Sequence, residues 1–134
     1  AQCLVGSEMC IRDSLVRAAE EAIAYQIRDI TEQLALCGKT VGLLCVDGGA
    51  TNDQFLMQFV SDMTGAPLKR SSIEELSAAG AAYLAALSAD IATQTEIFSS
   101  IEYTQVEPSM QQTQRERLYK GWKKAVAMVT EKKR

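Results

Sequence analysis

Apolar residues change their rhythm several times along this chain. Val16, Ala19, Ile23, Ile27, Ile30 and Leu34 recur at three- and four-residue steps, with Arg17, Glu20, Arg28 and Glu32 off that stripe. The spacing predicts an amphipathic helix of about five turns from Leu15, closed by Gly38 just past its C-terminus. Arg17, Tyr25 and Arg28 then fall on a solvated or packing face. Leu43-Leu-Cys-Val46 is a continuous apolar run with no helical gap, which predicts a short buried strand. The chain breaks at Asp47-Gly48-Gly49 and resumes at helical spacing with Phe55, Leu56, Phe59, Val60 and Met63. A strand, a glycine turn and a helix are expected there, with Asn52 or Asp53 as the helix N-cap. Gly65 and Pro67 end that helix near Thr64.

Beyond it, Leu68-Lys-Arg70 reads as a second short strand, and Ser72-Ile-Glu-Glu75 as a capping box for the next helix. That helix holds Ala78, Ala79, Gly80, Ala81 and Ala82. A glycine in a helix costs about 1 kcal/mol relative to alanine, so the small residues are read as a surface packed close against the sheet or the glycine turn. Residues 88–110 have no clean period; Ile97, Phe98, Ile101 and Tyr103 suggest an extended segment or an irregular crossing. Glu107 to Met110 is a loop, with Ser109 able to cap a last helix from about Gln112 to Thr130. Leu118, Trp122, Ala125, Val126 and Val129 share one face of it, and Lys120, Lys123 and Lys124 lie near the other. These lysines read as a solvated face suited to a helix C-terminus, and residues 131–134 as a frayed end. The alternation of helices and strands implies an α/β layer with a parallel sheet, small enough to leave its edges unpaired.

Composition narrows the chemistry. A length of 134 residues allows one domain at most, and 47% apolar with 23% charged residues fits an ordinary globular chain rather than a disordered one. A net charge of −3 gives no reason to expect nucleic acid or an anionic membrane, and no apolar run approaches the ~20 residues of a membrane helix. The chain has no histidine, and its four cysteines, Cys3, Cys10, Cys37 and Cys45, form no C-x-x-C pair. Zinc sites and Ser-His or Cys-His nucleophiles are therefore excluded. Cys45, inside the apolar run, is expected to be a buried free thiol, which suits a reducing cytoplasm. Residues 1–14 lack the basic and apolar regions of a signal peptide and are read as a non-native leader, separate from residues 15–134.

The candidate site is the turn after the first strand. Gly48 and Gly49 have no Cβ, so a ligand can approach the backbone, and the following helix N-terminus favours anions. The spacing is neither G-x-G-x-x-G nor G-x-x-x-x-G-K-[ST], and by itself it fits a purely structural turn equally well.

The residues themselves go further. Val46-Asp-Gly-Gly-Ala50 with Phe55-Leu-Met-Gln-Phe59 resembles the adenosine motif of glycerol kinases, within the FGGY carbohydrate kinases. Leu15 to Asp29 resembles the helix before that motif, and Ser77 to Leu87 resembles a Gly-Ala-Ala-Tyr-Leu-Ala segment after it. Leu118-Tyr-Lys-Gly-Trp-Lys-Lys-Ala-Val126 resembles the family's C-terminal stretch. The four motifs occur in order across residues 15–134.

The resemblance implies part of a C-terminal actin-like ATPase (ribonuclease H-like) domain, an α/β fold with helices packed on a small sheet. It implies a fragment of an enzyme that converts ATP and glycerol to ADP and glycerol 3-phosphate. The expected cofactors are ATP and Mg²⁺, the metal held mainly by sequence outside this chain, as are the glycerol contacts and the catalytic aspartate. The whole protein is expected to be a cytoplasmic homo-oligomer that binds neither nucleic acid nor membrane. By the same resemblance Gly49 is the nucleotide-contacting glycine and Gly48 its neighbour. The family's nucleotide-contacting asparagine falls at Asp53, while the only asparagine here is Asn52, so the contact belongs to one of these two. No catalytic or metal-ligating residue is assigned among the seventeen acidic residues; Asp47 is read as ordering the turn. Another FGGY polyol or sugar kinase, or a non-catalytic actin-like nucleotide-binding module, are the alternatives.

Overall fold

A computed structural model describes residues 2–73 and 75–131, with side-chain surroundings from residue 11 onward. Its elements are α1 (Gln2–Leu36), β1 (Leu44–Val46), a 3₁₀ turn (Gly49–Asn52), α2 (Gln54–Thr64), β2 (Leu68–Ser71), α3 (Leu76–Ser88), α4 (Gln94–Ser99), β3 (Tyr103–Val106) and α5 (Gln112–Thr130). The sheet order is β1-β2-β3. β1 runs parallel to β2, with Leu44 opposite Leu68 and Val46 opposite Arg70; β3 is antiparallel to β2, with Val106 opposite Leu68.

α2 is the centre of the molecule. Leu56, Met57, Phe59, Val60, Ser61, Asp62 and Met63 are all buried, because α2 packs on the sheet on one side and on α1 and α5 on the other. Its ends have clear chemical causes. The Asp53 carboxylate accepts the Leu56 N–H at 2.9 Å, satisfying a donor the helix cannot bond itself. Gly65 ends the helix at φ 73°, and its N–H donates to the Ser61 carbonyl at 2.9 Å.

α1 meets α2 and α5 with an unexpected face. Ala24, Tyr25 and Arg28 are buried, whereas Val16, Ile23, Ile30 and Leu34 of the apolar stripe are 41–62% exposed. The buried face is turned by roughly 100° from the stripe, one residue's rotation in a helix. The reason is a polar seam. Arg28 donates to Glu116 at 2.6 Å and to Glu32 at 3.2 Å, and its guanidinium lies 4.0 Å over the Tyr119 ring. Asp29 accepts from the Tyr119 hydroxyl and, at 2.9 Å, from the Trp122 indole. Glu32 accepts from Tyr119 at 3.1 Å and from Lys123 at 2.8 Å. Of the stripe, Ile27 is half-buried against the core, while Val16, Ile23, Ile30 and Leu34 stay exposed.

This seam is acid-sensitive. Burial acts to raise the Glu32 carboxyl, but hydrogen bonds from Lys123 and Tyr119, with the Lys123 and Arg28 charges, outweigh it and hold the group below the ordinary 4.5. A depressed carboxyl contributes stability in full above its unfolded value and loses it as pH falls through the folded one. Thermal midpoints of the wild type and Glu32→Gln are therefore expected to differ most above the ordinary carboxyl value of 4.5 and to converge as the pH falls below it. A gap that stays constant over that range would contradict this reading. Tyr119 shifts the opposite way: burial first, then donation to Asp29 and Glu32, raises its phenol far above the ordinary range.

Several sequence expectations need correction. The first helix begins at Gln2, not near Leu15. The sheet is mixed rather than parallel, since residues 88–110 supply α4 and the antiparallel β3. Cys45 is an exposed thiol, because no element among the described residues covers its side of β1; Cys37 is also free and exposed, and the side chains of Cys3 and Cys10 lie outside the described residues. The N-cap of α3 is Glu75, with no side-chain cap bond, so Ser72 caps nothing there; Glu74 lies outside the described residues.

A true capping box occurs on α4 instead. Thr93 accepts the Glu96 N–H, and Glu96 accepts the Thr93 N–H, which holds its carboxyl below the ordinary range. α3 has no buried residue, and a Cβ added at Gly80 would meet nothing within 4 Å. Its small residues are therefore not packed on the sheet or the turn. Its apolar side lines an open groove with Ile97 of α4. Ser109 does not cap α5, whose N-cap is Gln111; Ser109 is held instead by Asp62. The bounds of α5 are as expected, but Tyr119 rather than the Leu118–Val129 face is its buried residue. Of the frayed end expected at 131–134, Glu131 is the C-cap of α5, its N–H donating to the Ala127 carbonyl, and residues 132–134 lie outside the described residues.

Candidate functional site

The glycine turn sits where β1 ends. β1 and β2 are parallel, so their carboxyl ends open on one side, the usual place for ligands on an α/β sheet. Asp47 leads into Gly48, which takes φ 94° and ψ 169°, a backbone state essentially confined to glycine. Thr51, itself buried, locks the turn: its hydroxyl donates to the Gly48 carbonyl at 2.7 Å and its N–H to the same oxygen at 3.0 Å. A Cβ added at Gly49 would meet nothing within 4 Å, so the space above it is open to a ligand.

Asn52 and Asp53, equivalent candidates by sequence, have separate jobs. Asp53 turns inward and caps α2 through the Leu56 N–H. Asn52 is exposed, and its side-chain carbonyl accepts a hydrogen bond from Arg70. Gly48, Gly49, Asn52 and Arg70 border a cavity of about 170 Å³, of which Asp53 is not a wall. A neighbouring cavity of about 320 Å³ shares Thr51 and Arg70 and continues along Met57, Leu68 and Val106. Small-molecule sites typically run from ~300 Å³ upward, the size of this second cavity.

Thr51 and Arg70 were not singled out from the sequence. The signal for Arg70 was available: a charged residue two positions after Leu68 on a strand shares its face, and the strand's carboxyl end faces the turn. Among the described residues no three His, Cys, Asp or Glu side chains gather as a metal site, and no helix is long and apolar enough to cross a membrane. Backbone, amide and guanidinium groups face the turn.

A sequence profile of the FGGY family of carbohydrate kinases, C-terminal domain, matches residues 7–89. The chain belongs to the FGGY carbohydrate kinase family. It is 42% identical over 118 residues to a glycerol kinase of Pseudomonas fluorescens (strain Pf0-1), covering 86% of this chain and 24% of that protein. Against a glycerol kinase of Pasteurella multocida (strain Pm70) it is 44% identical over 124 residues, covering 90% of this chain and 24% of that one. The crystal structure of Plasmodium falciparum glycerol kinase with ADP matches its fold with a TM-score of 0.71 at 29% identity, over 84% of this chain and 23% of that chain. This FGGY chain thus spans about a quarter of the length of the curated relatives it matches. The α/β class and the actin-like ATPase fold expected from the sequence both hold.

Proposed function

We propose that this chain is the adenosine-binding portion of an ATP-dependent glycerol kinase, and that alone it transfers no phosphate. The observation that carries the reading is the Gly48–Asn52 turn at the carboxyl end of β1, in a fold like that of a glycerol kinase solved with ADP. Gly48 and Gly49 let the nucleotide approach the backbone, and Asn52 supplies the side-chain contact. Asp53, engaged as the α2 cap, does not.

Phosphoryl transfer needs a positioned nucleophile, phosphate and Mg²⁺. The acids beside the turn, Asp47 and Glu75, do not form a carboxylate cluster that fits Mg²⁺, so no catalytic step is assigned to these residues. Glycerol, the metal ligands and the catalytic aspartate belong to the rest of the kinase. We place that kinase in the cytoplasm as a homo-oligomer. We keep residues 1–14 as a proposed non-native leader although the family profile already matches from residue 7; source DNA reading through codons 10–20 in one native frame would overturn that.

The test is titration of the 134-residue chain with ADP, followed by amide NMR. ADP is expected to shift the Gly48, Gly49 and Ala50 signals. Asn52→Ala should weaken that response and Asp53→Ala should leave it intact. Incubation with ATP, Mg²⁺ and glycerol should yield no glycerol 3-phosphate. If ADP moved no signal at the turn, the nucleotide reading would fail; product formation would refute the assignment of catalysis elsewhere.

A further inference from the structure

We infer that Arg70 is a positioning residue for nucleotide recognition: by occupying the Asn52 carbonyl, it fixes the Asn52 amide as a hydrogen-bond donor toward the site. The inference rests on the nucleotide reading of the turn and adds the direction of the contact.

Arg70 reaches the turn because of strand register. It lies opposite Val46 on β1, the residue directly before Asp47-Gly48-Gly49, and opposite Thr104 on β3. Its Nη2 donates to Asn52 Oδ1, across eighteen positions of sequence. It also borders both cavities at the turn, so it stands between the glycine wall and the apolar space along Met57 and Leu68.

An asparagine side chain has one acceptor end and one donor end, and in solution either can face a ligand. Arginine has donors only. Once Arg70 takes the carbonyl oxygen, the amide must be turned with its NH₂ to the remaining side. Asn52 then presents its NH₂ to an acceptor on the nucleotide, such as a purine ring nitrogen or a ribose oxygen. The same bond explains how a position one residue before the family's asparagine can do this work: the amide is oriented from β2, not by the turn itself. Asp47 and Glu75 line the same cavity as Arg70 and Asn52.

The experiment measures ADP affinity by NMR titration of the full 134-residue chain and four variants. Arg70→Met frees the Asn52 amide to rotate and is expected to weaken ADP about tenfold, the scale of one directed hydrogen bond. Arg70→Lys keeps a donor and should recover most of that loss. Asn52→Asp keeps the Arg70 partner but removes the NH₂ donor, and should bind as weakly as Asn52→Ala. The Asn52 side-chain NH₂ resonances should move in Arg70→Met even without ADP, while the core signal of Trp122 stays in place.

Wild-type affinity in Asn52→Asp would overturn the donor assignment, and wild-type affinity in Arg70→Met would overturn the positioning role. In both cases the nucleotide reading survives, because ADP still binds. Absence of any ADP response in the wild-type chain would overturn both.

Discussion

Phe59→Ala is expected to cost about 3–5 kcal/mol of unfolding free energy, the range for truncating a buried aromatic residue. Phe59 is 5% exposed and joins three helices. Its ring is edge-on to Tyr25 at 5.6 Å between centroids and stacks on Phe55 at 5.6 Å. Tyr25 in turn stacks on Trp122 of α5 at 5.4 Å. Removing the ring opens a cavity on α2 and leaves Tyr25 without one of its two aromatic neighbours. Domains are stable by only about 5–15 kcal/mol, so the loss is a large share of the total. Urea unfolding followed by the fluorescence of Trp122, the chain's single tryptophan, measures it directly, since that indole belongs to the same stack. Phe59→Leu keeps most of the volume and should cost about 1–1.5 kcal/mol. An alanine cost below about 1 kcal/mol would mean that the three helices do not share this core.

Asp62→Ala should come next, at about 2–4 kcal/mol. Asp62 is 6% exposed in the last turn of α2, an unusual place for a carboxylate. Its Oδ1 accepts the N–H groups of Ser109 and Met110 at 2.6 and 2.9 Å and the Gln58 amide at 3.2 Å. The Ser109 hydroxyl also lies at 3.3 Å. The carboxylate therefore ties the loop ahead of α5 to the central helix. Alanine leaves two backbone donors without an acceptor in a part-buried site, which costs more than the bonds themselves contribute. Asp62→Asn can keep its carbonyl oxygen at the Oδ1 position, where these donors converge, and loses only the charge, so it should recover more than half of the loss. Hydrogen exchange is the sharper measurement: the Ser109 and Met110 amides should lose protection in Asp62→Ala and keep most of it in Asp62→Asn, while β1 amides are unchanged in both. Equal loss throughout the chain would show a general destabilisation rather than a detached loop.

Asp62 also shows why the loop before α5 was misread. Ser109 stands three residues ahead of a helical run and has the chemistry of a cap, so local reasoning assigns it to α5. Only the position of α2, far away in sequence, reveals that its N–H has a better acceptor. The same applies to Ser72-Ile-Glu-Glu75 and Thr93-Gln-Thr-Glu96. Both have the capping-box spacing, and the second alone forms the reciprocal bonds, because the chain at Ser72 is still leaving β2.

The sequence by itself determined the elements carried by short-range pattern: the strand–glycine turn–helix unit, the Gly65 stop, the bounds of α5, the α/β class and the family. Each rests on bonds or spacings within a few residues, so its cause is already present in the local chain. Tertiary structure decided which side of each element is used. α1 turns Ala24, Tyr25 and Arg28 inward, with Arg28, Asp29 and Glu32 finding partners on α5 some ninety positions away, while Val16, Ile23, Ile30 and Leu34 of its apolar stripe stay exposed. Cys45 is exposed because no element among the described residues covers its side of β1, and Arg70 belongs to the site because parallel pairing sets it beside Val46. Periodicity tells how apolar a face is; what covers that face depends on long-range packing, which no local window contains.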